Sequence, residues 1–252
     1  MYFSIITACL NRARTMGATM DSLATQRFVD YEHVIVDGGS SDGTLGVIAE
    51  KSDPRTRLTS GPDRGIYDAL NKGLVRARGD VVGLLHSDDV FADDAVLDDV
   101  ARAFSNASVD AVYGDLDYVA SGPSGRVVRH WRAGPFRPCA LRHGWMPPHP
   151  TLFLRRRVID RLGGFDTSYR IAADYEAVLR YFGSAGFQAS YLPRVLVRMQ
   201  LGGASNRSIG QILRKSAEDY RAIRSRGIGG AGTLLAKNAS KLSQFIAMGK
   251  AA

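Results

Sequence analysis

At 252 residues, 45% of them hydrophobic, the chain has ample apolar content to close one large α/β domain, and no second independent domain is expected. Two cysteines, Cys9 in an apolar run and Cys139 in a polar loop, exclude a disulfide framework and a zinc-ligand spacing, and point to a reducing cytoplasm. The net charge of +8 would suggest nucleic acid or an anionic membrane, but Arg207 to Ala252 holds nine basic residues against two acidic ones, a net +7, so the first 206 residues are nearly neutral.

The apolar start YFSIITACL has no basic residues before it and is cut short by Asn11-Arg12-Ala13-Arg14, which fits a buried first strand rather than a signal peptide. Further short β-branched or apolar runs fall at 32–37, 56–60 and 80–86. Between them, residues 14–26, 43–52 and 66–78 carry apolar residues at helical spacing, the third ending at a glycine suited to a C-cap. Strand and helix thus alternate three times, which predicts a mostly parallel sheet with its ligand site at the carboxyl ends of the strands. After Asp89 the rhythm changes. A helix near 93–105 precedes a hairpin turning at Ser121-Gly122-Pro123-Ser124-Gly125, a loop leads into a strand after His149, a helix covers 172–184, and an extended stretch spans 187–200. The basic tail reads as helical with a break at 227–230. No stretch approaches the roughly 18 apolar residues that span a bilayer, so the protein is expected to be soluble or peripheral.

Polar residues collect where the first four strands end: Thr7 and Asn11, then the run from Asp37 to Gly43, then Asp63, then Ser87-Asp88-Asp89. Such loops suit a phosphate-bearing ligand, although Asp and Gly also punctuate ordinary turns. No GxGxxG follows the first strand and no GxxxxGK[ST] occurs, which removes the main support for dehydrogenase and kinase chemistry. Asp88-Asp89 follows the apolar run VVGLL, and two hard carboxylates suit Mg²⁺ or Mn²⁺ bridging a diphosphate; Asp93-Asp94 is the better candidate to cap the following helix. Asp174, near the start of a helix whose Ala177, Val178 and Tyr181 face the core, can act as a rigidly held proton acceptor or can simply pair with Arg180. In GWMPPHPTLFLRR, prolines stiffen a loop from which Trp145 could stack on a sugar ring and His149 bond a hydroxyl. Gly202-Gly203-Ala204-Ser205-Asn206 reads as a lid or a linker.

In order and spacing, SIITACLNRA, VIVDGGSSDGT, GIYDALNKG, LLHSDD, PHPTLFLRR and AADYEAVLRY resemble the family 2 glycosyltransferases of the GT-A fold, from about Met1 to about Gln200. The chain looks like the single-addition enzymes of bacterial exopolysaccharide and O-antigen synthesis, which work on lipid-linked acceptors in the cytoplasm. The resemblance implies a Rossmann-like mixed sheet flanked by helices over residues 1–206, with a nucleotide-sugar half (1–92), an acceptor half (93–206) and a basic helical extension (207–252). It implies that Thr7 and Asp37 contact the nucleotide, with Asn11, Asp63, Asp68, Asn71 and Lys72 on the donor side. Asp89 would take Mn²⁺ or Mg²⁺, with Asp88 on the donor or the metal. His86 stands where the usual first carboxylate of the metal motif would be. Asp174 would be the general base of an inverting transfer from a nucleotide-diphosphate sugar, UDP-linked by expectation. The QxxRW signature of processive synthases is absent, so one sugar per encounter is expected.

The tail interleaves lysines and arginines with Leu234, Leu235, Leu242, Phe245 and Ile246, a pattern open to an anionic leaflet or to packing on the domain or a second subunit. Three readings compete. A sugar nucleotidyltransferase would need a glycine-rich basic loop after the first strand, which is absent; a nucleic-acid binder lacks aromatic-basic sheet motifs; a non-catalytic saccharide-binding module would tolerate replacement of Asp174.

Overall fold

A computed structural model of the chain describes residues 2–120, 125–201 and 209–246, apart from the side chains of Ile209 and residues 240–246. The first half follows the alternation read from sequence: β1 (Phe3–Cys9), α1 (Met16–Ala24), β2 (Tyr31–Asp37), α2 (Thr44–Lys51), β3 (Thr56–Ser60), α3 (Ile66–Arg76) and β4 (Val81–Leu84). These four strands are parallel in the order β3-β2-β1-β4. Their register pairs Cys9 with Asp37 and Asp37 with Ser60, so the polar strand ends fall in one row. Helix α3 stops at Arg76 rather than at Gly79, because Ala77 turns extended and its amide closes on the Gly73 carbonyl at 2.9 Å. Gly79 answers a different need, since a Cβ there would lie 2.6 Å from the Ser4 amide nitrogen.

Beyond β4 the sheet becomes mixed. The later elements are β5 (Asp89–Phe91), α4 (Val96–Ala103), β6 (Ala111–Val119), β7 (Val127–Trp131), β8 (Phe153–Arg155), α5 (Arg156–Leu162), α6 (Ala173–Phe182), β9 (Ala189–Gln200), α7 (Ile209–Ser225) and α8 (Ala231–Ile246). Strand β8 is antiparallel to β4 and β6, β6 runs parallel to β9, and β5 closes the edge antiparallel to β9. The expected hairpin is β6–β7; its turn, Gly125 excepted, lies outside the described residues, as do Gly202 to Asn206. Strand β5 and helix α5 were not foreseen, being too short to show a period. Asp93 does not cap α4: its Oδ1 accepts the Ala95 amide one turn early and its other oxygen pairs with Arg194.

Alternate residues of the strands divide between two helical layers, as a sheet covered on both faces requires. Ile6, Ala8, Val34, Val36 and Tyr113 pack with α3, α5, α6 and α7, whereas Phe3, Ile5, Val112 and Phe153 pack with α1 and α4. Helix α3 approaches β1 so closely that a Cβ on Gly73 would meet Ile6 Cγ2 at 2.4 Å. The basic extension joins this body. Ala222 and Ile223 of α7 are fully buried in the α6 cluster, and α8 runs against Gly144, where a Cβ would be 2.5 Å from Lys237 Cα. No helix among the described residues is long and apolar enough to cross a membrane.

Candidate active site

The loops after β1 and β2 are sewn to each other. Asn11, in the left-handed region at φ 54°, accepts the Ser41 amide on its side chain at 2.9 Å and donates its own amide to Ser40 Oγ at 2.8 Å. Arg12 and Ala13 donate backbone amides to Thr44 Oγ1 and Asp42 Oδ2. Beneath them Asp37, with no exposed surface, accepts the Gly39 and Ser40 amides at 3.0 Å and Ser60 Oγ at 2.6 Å on Oδ2, while the Ser40 hydroxyl takes Oδ1. Burial alone would raise this carboxyl, but the hydrogen bonds from Ser40, Ser60 and Gly39 hold it below the usual range, so it is a charged anchor for the loop. Gly38 is required here because a Cβ would lie 2.5 Å from Asp63 Oδ2.

Several side chains expected at the nucleotide are therefore engaged within the protein. The hydroxyl of Thr7, fully buried, donates to the Leu85 carbonyl at 2.7 Å and lies 2.9 Å from His33 Nε2, so it presents nothing to a base. Asn71 spends both ends of its amide on the backbone of Phe165, at 2.8 Å each, and fixes the loop between α5 and α6. The side chains that remain at the rim are Asp63, whose Oδ1 accepts the Gly65 amide, and the pair Asp68–Lys72 at 3.2 Å, with Lys72 also on the Pro62 carbonyl.

Asp88 and Asp89 do not stand side by side at the end of β4. The chain turns at Ser87-Asp88 and starts β5 at Asp89, which carries Asp89 into the interior, fully buried, and leaves Asp88 half-buried. Neither Asp89 oxygen makes a full hydrogen bond among the described residues, and burial, reinforced by the Asp88 charge, pushes its carboxyl well above the ordinary range against a smaller lowering by the Gln200 backbone. A buried carboxyl so weakly satisfied is one whose ionised form a cation would stabilise. Among the described residues no three His, Cys, Asp or Glu side chains form a ligand set, so a metal held here would draw its remaining oxygens from the donor's diphosphate and water, as Mg²⁺ sites commonly do.

Asp174 lies in the first turn of α6 and is held from two directions. His149 Nδ1 stands 3.2 Å from Oδ2, and the Tyr67 hydroxyl lies 3.2 Å from Oδ1 and 2.7 Å from the Ile171 carbonyl oxygen. On its far side His149 Nε2 meets His86 Nε2 at 3.0 Å. Burial lowers both imidazoles, His86 to about 3, so both are neutral; one proton arrangement then satisfies the row, His86 donating to His149 and His149 donating to Asp174. Burial would raise Asp174, but His149, Lys215 and Lys237 outweigh it and keep the carboxylate ionised at neutral pH. The Arg180 partnership considered from sequence does not form; Arg180 pairs with Glu176 at 3.0 Å. Trp145 and His149, both only partly exposed, have their polar nitrogens engaged within the protein. Trp145 donates Nε1–H to the Ala133 carbonyl and packs among Tyr113, Phe136 and Phe182, while His149 has both nitrogens engaged in the row. A largely apolar cavity of about 40 Å³ adjoins His149 and Asp174, lined by Leu74, Leu152 and Phe165 among others.

The sequence profile described as Glycosyl transferase family 2 matches residues 4–168. The chain belongs to that family. Among curated relatives of this glycosyltransferase, the PGL/p-HBAD biosynthesis glycosyltransferase of Mycobacterium bovis is 32% identical over 209 residues, covering 81% of this chain and 79% of that one. Among solved structures, S. aureus TarS 1–349 in complex with UDP-GlcNAc superposes with a TM-score of 0.69 at 18% identity, over 90% of this chain and 66% of that one. The mannosyltransferase PcManGT from Pyrobaculum calidifontis, in complex with GDP-Man and Mn²⁺, gives 0.67 at 18% identity, over 99% and 75%. These likenesses establish the GT-A fold of the glycosyltransferase.

Tyr67 is not marked by anything local in the sequence, standing beside Asp68 at the start of α3.

Proposed function

We propose that the enzyme transfers one sugar, with inversion, from a nucleotide-diphosphate sugar, UDP-linked in the first instance, to a hydroxyl of a saccharide or lipid-linked saccharide acceptor. The observation that carries this reading is Asp174: its side chain 20% exposed and so within reach of an acceptor, ionised at neutral pH, and oriented by His149 and Tyr67 with lone pairs to spare on each oxygen. As the acceptor oxygen attacks the anomeric carbon, its proton passes to Asp174, and the bond from that carbon to the diphosphate oxygen breaks with its electron pair leaving on the nucleotide. His149 holds Asp174 in place through this step rather than binding the acceptor. The row from Asp63 to Lys72 lines the donor side. Mn²⁺ or Mg²⁺ held by Asp88 and Asp89 would neutralise charge on the departing diphosphate. On this reading the enzyme works at the cytoplasmic surface of an anionic membrane, without nucleic acid as a partner; the exposed Arg214 and Arg224 of α7 support it.

Calorimetric titration with UDP-, GDP- and dTDP-sugars, in Mn²⁺ or in EDTA, tests the donor half. Binding to one nucleotide class is expected, requiring the metal and disappearing in Asp89→Ala; equal affinity in EDTA would remove the metal assignment. In parallel, Asp174→Asn is expected to bind donor normally and lose turnover by several orders of magnitude, about 10²-fold at the least. Normal turnover in that variant ends the assignment of the base.

A further inference from the structure

The helix that carries Asp174 lacks a cap of its own. Its N-cap position is Ala172, whose side chain accepts no hydrogen bond. The amides of the N-cap and of the two residues before it find their acceptor far along the chain. Glu218, in the middle of α7, accepts the backbone amides of Arg170 on Oε1 at 3.1 Å and of Ile171 and Ala172 on Oε2 at 2.9 and 3.0 Å. The same short segment receives the Tyr67 hydroxyl on the Ile171 carbonyl. One turn after Glu218, Arg221 lies over the Tyr169 ring at 3.7 Å and donates to the Ser168 carbonyl at 3.0 Å.

We infer that Glu218 is a positioning residue for catalysis: by clamping residues 170–172 it sets where Asp174 stands between His149 and Tyr67. This deepens the reading of Asp174 as the base and rests on it. The clamp is rigid for a physical reason. Three amides converge on one carboxylate, a charge-assisted arrangement stronger than neutral hydrogen bonds, and it sits at the positive end of the α6 dipole. Asp174 is two residues beyond the last clamped amide, so a shift of the lead-in moves its carboxylate directly. Asp166, the carboxylate just before the segment, accepts the Ser168 amide, and Glu218 takes those of residues 170–172. The basic extension is on this view part of the catalytic apparatus, although the family match ends at residue 168, before both Asp174 and Glu218.

The test compares full-length wild type, Glu218→Ala, Glu218→Gln and Asp174→Asn by kcat, donor KM and the pH dependence of kcat/KM. Glu218→Ala is expected to lower kcat by on the order of 10- to 100-fold with donor KM within about twofold. Its acidic limb is expected to move to higher pH, because Asp174 would stand farther from His149. The other groups facing Asp174 are Tyr67 from α3, Lys215 from α7 and Lys237 from α8, which the variant keeps; the loss of the Glu218 charge, which also acts on Tyr67, is common to Glu218→Ala and Glu218→Gln, so the difference between those two variants reads the clamp alone. Glu218→Gln keeps an oxygen for the amides and should fall between, and it carries the test if the alanine variant does not fold. A kcat within about twofold of wild type, or a loss of kcat with the acidic limb unmoved, overturns the positioning role. Normal turnover in Asp174→Asn overturns the base and the positioning role together; an inactive Asp174→Asn beside a normal Glu218→Ala overturns the positioning role alone.

Discussion

His33 shows how one buried side chain links the fold to pH. It is 3% exposed, and because the Thr7 hydroxyl already donates to Leu85, the ring must donate Nε2–H to Thr7 in return. Burial pushes its pKa down to about 4, with Asp53 pulling weakly the other way. The unfolded chain takes up this proton near pH 6.5, the folded chain near 4, so the unfolded state binds more protons throughout that window. Stability is therefore full above 6.5 and falls as pH drops towards 4, by roughly 3 kcal/mol from this residue. Urea midpoints between pH 7 and 4 should show the decline, and His33→Gln, which keeps an amide donor, should flatten it. An unchanged slope in that variant would assign the decline to His86, whose depression has the same sign. Individual residue types were legible in the sequence; their partners were not. Thr7, Asn71 and Trp145 carry the right chemistry for a ligand, and each spends it on a backbone group remote in sequence.

At the scale of elements, α8 matters through an ion pair it brings to the core. Lys237 and Asp219 meet at 2.6 Å with side chains 1% and 2% exposed, and the ammonium sits 3.2 Å from the centre of the Tyr175 ring. Tyr175 follows Asp174, so α7 and α8 together brace helix α6 next to that carboxylate. Removing one member of such a pair leaves a buried charge, a loss of about 3 kcal/mol or more. Lys237→Met should lower the urea-derived stability by that amount, read at neutral pH; a loss below about 1 kcal/mol would mean that Lys215, 3.9 Å from the same carboxylate, compensates. Elements with a clear period, β1 to β4 and α1 to α3, were recovered within a few residues, whereas β5 and α5 were too short to carry one.

For the whole molecule, the charge asymmetry takes on a direction. Of the uses of the extension that the sequence left open, Leu234 follows packing on the domain and Leu235 is exposed, while the side chains of Leu242, Phe245 and Ile246 lie outside the described residues. The outward face of α7 instead carries Leu213, 67% exposed, and Tyr220, 41% exposed, beside exposed Arg214 and Arg224. If this face meets an anionic leaflet, each arginine contributes on the order of 1 kcal/mol, screened by salt. Cosedimentation with phosphatidylserine-containing vesicles at low salt should thus be strong for wild type and weak for the double variant Arg214→Glu and Arg224→Glu. Equal sedimentation of the two would dismiss α7 as the contact. Truncation after residue 227 is the poorer test, because it also removes Lys237 from the core.

The sequence by itself determined the parallel first half of the sheet, the row of polar strand ends and the family, because each of these depends on short-range periodicity or on motifs in order. It also singled out Asp174 from its place at the start of an amphipathic helix. What holds Asp174 is visible only in three dimensions, since His149 and Tyr67 reach it from 25 and 107 residues away in the chain, and Glu218 meets the segment before its helix from 46 residues away. Tertiary structure likewise turned Asp89 inward at the start of β5 and made the basic extension part of the body. Hydrogen bonds and buried ion pairs are satisfied in space, and sequence separation places almost no constraint on which partners meet.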